Sequence, residues 1–289
     1  MSDDGGFGLT AIAFVGSVFS PYYAAARRRG PADPAEHCAL NVAVYGRSGK
    51  HWSMTERGRR ALHCSPSRLG IGPSALDWQD GTLTLEFDEV TVPWPRRLRG
   101  RVQLRAGASF DHAVSLDPAG LHHWAPLAPA ARVEVDLEAP RRRWSGHGYL
   151  DTNWGSAPLE QGFAAWHWSR ATLADGSTVV LYDLAPRGAP ARAFGLRCGR
   201  DGTVTDLEPP PAHALPGTGW GIARRTRGTP GAARVLRTLE DTPFYARSLL
   251  EARLLDEELT AVHESLSLDR FSTRWVQALL PFRMPRRAG

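Results

Sequence analysis

Three Asp-Gly dipeptides, at 80–81, 175–176 and 201–202, each stand between runs in which apolar and polar residues alternate. Asp-Gly accepts the left-handed backbone of a tight hairpin, so each pair marks a reversal between antiparallel strands. Before the first turn lie Leu76 and Trp78; after it Leu83, Leu85 and Phe87 share one face. Trp166 and Trp168 share a face in the run leading to Asp175, and STVVLYDL returns from that turn. AFGLRCGRDGTVTDLE repeats the arrangement, and Val133, Val135 and Leu137 oppose Arg132, Glu134 and Asp136. Residues two apart lie on the same face of a strand, so a period of two is a strand signature. With 29 glycines and 22 prolines as punctuation, the pattern predicts an all-β chain, an antiparallel sandwich or barrel.

Length and composition narrow the class further. A chain of 289 residues suits one large domain or two small ones. Hydrophobic residues at 42% and charged residues at 22% exclude a collagen-like or disordered chain. The 10 tryptophans are many, and such rings usually line a core or an apolar pocket. The net charge of +5 comes almost wholly from arginine, since Lys50 is the only lysine. That balance permits an anionic membrane surface as partner. Nucleic acid is disfavoured, because the arginines are scattered and no recognition motif is present. Cys38, Cys64 and Cys198 are far apart, which suggests neither a disulfide framework nor a zinc site.

The N-terminus, Met-Ser-Asp-Asp, lacks the basic region of a secretory signal. Residues 8–26 carry no charge and are followed by Arg27, Arg28 and Arg29. Gly16, Ser17, Ser20 and Pro21 interrupt the run, and its Val, Ile, Phe and Tyr suit a strand. Strand plus turn is therefore expected over a membrane span; a surface dipping into a bilayer is a third reading. Ser248 to Phe271 is ambiguous: Leu250, Leu254 and Leu255 fit a helix, Val262, Glu264 and Leu266 a strand. The C-terminal stretch predicts a short amphipathic helix before Pro281. DLEPPPAHALPG, residues 206–217, reads as a loop. The aromatic stretch from Trp144 to Trp168 divides the chain, giving expected domains at 1–155 and 156–289.

Motifs for phosphate, zinc or serine chemistry are lacking: there is no G-x-x-x-x-G-K-[ST], H-E-x-x-H or G-x-S-x-G. GTGWG at Gly217 is glycine-rich without the strand–helix context of a dinucleotide site. His122 and His123 would point to opposite faces of a strand, a poor chelate. What remains is WSGHGYLDTNWG, residues 144–155, in which Asp151 is the one carboxylate among Trp144, His147, Tyr149 and Trp154. His122 and Trp124 lie upstream; Trp166, His167 and Trp168 lie downstream. Tyr149 and Asp151 share a face if the segment is extended. One reading is an aromatic core with Asp151 in a turn, since Asp-Thr-Asn is good turn chemistry. The other is a carboxylic acid in an aromatic-walled site, its pKa raised by burial. A neutral acid there protonates an alkene, and aromatic faces stabilise the resulting cation.

Four strings carry a resemblance. AIAFVGSVFSPYYAAARRRGPADPAEHCALNVAVYG, HWSMTERGRRAL, IGPSALDW and RWSGHGYLDTNWGSAPLEQGFAAWHWSRA resemble the acyclic carotenoid 1,2-hydratase family, also called hydroxyneurosporene synthases. The likeness covers nearly the whole chain. It implies two tandem lipocalin-like β domains, one in each expected half. It implies hydration, without a cofactor, of the terminal double bond of neurosporene and lycopene. The family's HGYLD and H-x-W motifs fall on Tyr149 and Asp151 and on His122 and Trp124; His122 is chosen over His123 because it shares a face with Trp124. Trp144, Trp154, Trp166 and Trp168 are the expected substrate-binding rings.

On this resemblance Asp151 protonates C2, Trp124 and Tyr149 face the cation at C1, and water attacks there. His122 orients the water, takes its proton, or holds Asp151. A lipocalin-like carrier and a tandem-lipocalin cyclase or isomerase are the alternatives. A polyene dissolves only in lipid, so the enzyme is expected as a peripheral protein on the cytoplasmic side of the inner, photosynthetic membrane. Its expected contacts are Phe19, Tyr22 and Tyr23 beside Arg27–Arg29, and Leu279, Leu280 and Phe282 beside Arg283, Arg286 and Arg287.

Overall fold

The computed structural model of the chain describes residues 1–47 and 49–287. It is mostly β, as the alternation predicts, and the sheets are antiparallel throughout. Among the described residues no sheet closes on itself. The sequence left sandwich and barrel open; the sheets here are open ones.

The chain divides into two compact units, Met1–Ala106 with Ala131–Gly148 and Gln277–Gly289, and Gly107–Ala130 with Tyr149–Val276. Both draw on separated stretches, so residues 107–130 cluster with the second unit although they precede the sequence division at 155.

In the first unit, β1 (Gly8–Val15), β2 (Cys38–Gly46) and β3 (Gly49–Arg57) form a three-stranded sheet. A second sheet runs through β4 (Leu62–Cys64), β5 (Arg68–Ile71), β6 (Ser74–Gln79), β7 (Thr82–Val90) and β8 (Arg97–Ala106). It continues into β10 (His122–Ala139) and β11 (Arg141–Gly155), and the short β9 (Val114–Ser115) pairs with β10. Residues 131–139 of β10 and 141–148 of β11 belong to the first unit; 122–130 and 149–155 belong to the second. Leu40, Val42 and Val44 of β2 pack against Leu85, Phe87, Leu98, Val102, Val133, Val135, Leu137 and Trp144. The two sheets thus bury one apolar layer between them. Asp80 and Gly81 join β6 to β7 with φ of 48° and 71°, the left-handed pair that a two-residue hairpin requires.

The apolar N-terminal run splits between β1 and a seven-residue helix, α1 (Pro21–Arg27). The expected turn is therefore a turn and a helix. Gly16 breaks the run at φ 72°, where a Cβ would meet Pro34 Cβ at 2.7 Å. The Ser20 hydroxyl then accepts from the Tyr22 and Tyr23 amides and Pro21 opens the helix. Among the described residues no helix is long and apolar enough to cross a membrane.

In the second unit, α2 (Leu159–Gly162) precedes β12 (Phe163–Thr172), β13 (Thr178–Pro186), β14 (Arg192–Cys198) and β15 (Val204–Leu207). The ribbon β16 (Ala212–Leu215) and β17 (Arg224–Arg227) leads to β18 (Arg234–Asp241), β19 (Tyr245–Leu254) and β20 (Glu257–Ser267). The main sheet has the order β15-β14-β13-β12-β20-β19-β18. Leu215 of the ribbon packs with Ala171, Val179, Leu181, Leu250 and Ala261, so the ribbon covers one face. Two readings change here. The proline-rich stretch contains strand β16, because its Ala-His-Ala-Leu finds β17 as a partner. The ambiguous stretch is a hairpin: Leu250 and Leu254 are buried, while Leu255 and Asp256 form the turn at φ 50° and 65°. A cross-strand neighbour overrides helical spacing. The chain ends with α3 (Leu268–Phe271) and the predicted amphipathic helix, α4 (Arg274–Leu279).

Candidate active site

The site is built on the uncovered face of the second unit's sheet. Antiparallel register aligns side chains across strands. Phe194 pairs with Tyr182, Tyr182 with Trp168, and Trp168 with Glu264. Over this row lie residues 122–130 of β10 and 149–155 of β11. The Trp124 ring rests on Tyr182 and Phe194, with centroids 5.2 and 6.1 Å apart. Tyr149 rests on Trp168 at 5.5 Å, and the Arg170 guanidinium lies 4.9 Å from the centre of the Tyr149 ring.

Asp151 sits where these rings converge. The Trp124 indole N–H donates to its Oδ2 at 2.8 Å, and the Tyr149 hydroxyl donates to the same oxygen at 2.9 Å. Both donors are neutral. Burial pushes the Asp151 carboxyl above its usual range and outweighs the two bonds, which pull it down; Glu264 adds to the rise and Arg170 opposes it. Burial, with the charge of Asp151, holds the Tyr149 phenol well above its ordinary value. Tyr182 is raised by the same causes. Both phenols are therefore donors at neutral pH.

His122 shares the buried face with Trp124, as expected, and His123 points the other way to stack on Trp154 at 5.2 Å. Its bonds do not run to Asp151. Nδ1 meets Asp117 Oδ2 at 2.6 Å, and Nε2–H donates to the Ala157 carbonyl at 3.0 Å. Burial disfavours the Asp117 charge, but the Leu121 amide and the His122 ring together hold its carboxyl below the usual range. Asp117 and Ala157 thus engage both ring nitrogens of His122. A Cβ at Gly162 would lie 2.7 Å from His122 Cε1, and one at Gly155 2.9 Å from Cδ2. The ring fills its slot, edge-on to Phe163 at 5.1 Å.

The four expected substrate-binding tryptophans separate. Trp168 is buried against Tyr149, and its indole N–H has no protein partner. Trp166 lies edge-on to Phe163 at 5.8 Å. Trp154 is exposed beside His123. Trp144 is stacked on Phe7 at 5.4 Å in the core of the first unit. Of the two readings of Asp151, the turn is excluded: the residue lies within strand β11. Sequence reasoning passed over Arg170, Tyr182, Phe194, Glu264 and Asp117. Arg170 was within reach, two residues beyond Trp168 on the same face. Tyr182 follows from counting back through the hairpin at Asp175-Gly176. Glu264 had no local signal.

Comparison with known proteins bears on this geometry. The family model for the carotenoid hydratase CrtC matches residues 11–289. The chain belongs to the carotenoid hydratase family. It is 56% identical over its whole length to the acyclic carotenoid 1,2-hydratase of Thiocapsa roseopersicina, of which it covers 72%. It is 53% identical, with the same coverage, to that of Rubrivivax gelatinosus. With that of Cereibacter sphaeroides it shares 40% identity over 96% of this chain and 98% of the relative. These relatives are hydro-lyases by name. No solved structure matches.

Proposed function

We propose that the chain adds water across the terminal C1=C2 bond of acyclic carotenoids, neurosporene and lycopene among them, giving a tertiary 1-hydroxy product. The observation that carries the mechanism is the half-buried Asp151 carboxyl, with two neutral donors on one oxygen and no cation bonded to it among the described residues. Oδ1 gives its proton to C2, and the C1=C2 electron pair forms the new C–H bond. The tertiary cation at C1 faces the aromatic rings, each worth about 0.5–2 kcal/mol to a cation. Water attacks C1, and the Asp151 carboxylate takes the surplus proton, which restores the acid. No electrons are transferred overall, so the cycle calls for no redox cofactor. The Trp168 N–H is a donor available to orient the attacking water.

His122 has no lone pair free to take a proton in this reading. It acts as a positioning residue, tying the start of β10 to Asp117 and Ala157 and so aiming Trp124, two residues along, at Asp151. In Asp151→Asn the amide oxygen still accepts both bonds but the acid is gone. Hydration in isotopically labelled water is expected to fall by about 10²–10⁴-fold, with the protein folded. Near-normal turnover would reject Asp151 as the acid. Labelled ring or double-bond isomers in place of the alcohol would identify a cyclase or isomerase, and unchanged bound polyene a carrier.

The substrate's solubility also calls for peripheral contact with a bilayer, and we infer its place on the cytoplasmic side of the photosynthetic membrane from that need alone. In the first unit Trp94 and Phe282 are each 77% exposed. Arg283 lies 4.3 Å from the Trp52 ring centre, and the Val92 amide donates to the Trp52 carbonyl, which links the two exposed tips. Of the arginines expected beside this surface, Arg286 bonds buried Glu56. Tyr23 is stacked on His37 at 4.7 Å, and Leu280 is buried. Trp94→Ser with Phe282→Ser is therefore the sharper test. Co-sedimentation with anionic vesicles is expected to weaken; binding indifferent to both changes would reject this surface.

A further inference from the structure

The site face carries charges that the mechanism above does not use. The row that begins Phe194–Tyr182–Trp168–Glu264 continues: Glu264 pairs with Arg247, and Arg247 with Glu240. Arg247 donates to Glu264 Oε1 through Nε at 2.8 Å and through Nη2 at 2.7 Å. Both side chains are largely buried. The adjacent row runs Val180–Arg170–Val262. Arg170 therefore stands one row from Glu264, on the same face, in contact with the Tyr149 ring. It pairs with no carboxylate among the described residues.

The other elements around Asp151 bring neutral groups, an ion pair and one further cation, Arg192 of β14, which lies 5.3 Å from the centre of the Phe194 ring and donates to the Ser115 carbonyl. From β10 come the Trp124 N–H and the His122–Asp117 pair. From β11 come the Tyr149 hydroxyl and Asn153; from β13 comes the Tyr182 phenol beside Asn153. Glu264 pairs with Trp168 across the sheet and Arg170 lies over Tyr149, so both charged side chains stand beside the rings that surround the acid. Where water is scarce such charges act over longer distances than at a surface. A general acid works best when it holds its proton at working pH yet releases it readily. A negative neighbour serves the first need and a positive neighbour the second, by stabilising the carboxylate left behind.

Building on the reading of Asp151 as the acid, we propose that Glu264 and Arg170 are opposed positioning residues for its proton, Glu264 holding it on and Arg170 easing its departure. Arg247 holds Glu264 in place with two bonds to one oxygen. The burial-driven rise of the Asp151 carboxyl, with Glu264 adding and Arg170 subtracting, agrees in sign.

Two variants test this by moving one observable in opposite directions. In Glu264→Gln the alkaline limb of the kcat–pH profile is expected to shift to lower pH, by about half a unit or more. In Arg170→Met, which keeps an aliphatic stem over Tyr149, the limb shifts to higher pH by a similar amount. Infrared difference spectra of the free enzyme against Asp151→Asn report the protonated carboxyl directly and should titrate with the same shifts. If Glu264→Gln fails to fold with Arg247 unpaired, Glu264→Gln combined with Arg247→Met takes its place, with a smaller shift of the same sign. A limb and carboxyl band that neither variant moves, or that both move the same way, overturns the proposal. A merely structural role would lower kcat or stability without moving either. Failure of the underlying reading looks different: Asp151→Asn would retain turnover, and no carboxyl band would be lost in it.

Discussion

Each unit buries carboxyl groups, and what surrounds them differs. In the first unit Glu89 accepts from Arg57 at 2.8 Å and from the Ser74 hydroxyl at 2.8 Å. Glu56 is fully buried and bonds His37 at 2.8 Å and Arg286. The Glu56 amide also accepts no freedom: it donates to the Pro285 carbonyl, and the Arg287 amide donates back to the Glu56 carbonyl, which fixes the C-terminal tail along β3. In the second unit Asp151, among the described residues, bonds only an indole N–H and a phenol. Burial lifts Glu89 as it lifts Asp151, but at Glu89 a guanidinium in direct contact works against the rise. A carboxylate bonded to a guanidinium serves as a strut, because giving up its charge would strand the cation. A carboxyl bonded only to neutral donors can carry a proton and hand it on.

The contrast can be broken at either end. The largest effect on stability is expected from Arg57→Met, which strands a buried carboxylate and costs about 3–5 kcal/mol. Denaturant unfolding reads that loss, while hydration per folded molecule stays near normal. A matching fall in turnover per folded molecule would mean that the Glu89 pair takes part in the site.

A smaller effect of opposite sense is expected at Asp151. Its folded-state pKa lies above the unfolded value of 3.8, so its contribution to stability is present below that pH. The contribution is lost as pH rises through the folded value, since the unfolded chain ionises more easily. Asp151→Asn removes this titration. The variant's thermal stability relative to the parent should therefore grow as pH rises from about 4, by up to about 1.4 kcal/mol for each unit of pKa difference. It should then level off. A gap that is constant with pH would place Asp151 among the ionised struts.

The legible part of the fold was its local part. The hairpin at Asp80-Gly81 could be read because turn chemistry and alternation lie within a dozen residues. The pairing of Tyr149 with Asp151 and of His122 with Trp124 could be read because strand period is fixed by backbone geometry. The stretch holding Leu250 and Leu254 stayed open between helix and strand, since spacing alone cannot register the partner strand β20. The same limit applied to Trp144: in sequence it stands with the site motif, yet Phe7 claims it for the first unit's core.

The sequence by itself determined the strand class and the main reversals, because these depend on residues two apart or on a single turn. Only the tertiary structure decided which strands are neighbours. That choice brought Tyr182 and Glu264 to Trp168, set Arg170 over Tyr149 and turned both nitrogens of His122 away from Asp151. The physical reason is that burial and charge act through space, and the strands that deliver them to Asp151 are separated from it by as much as two fifths of the chain.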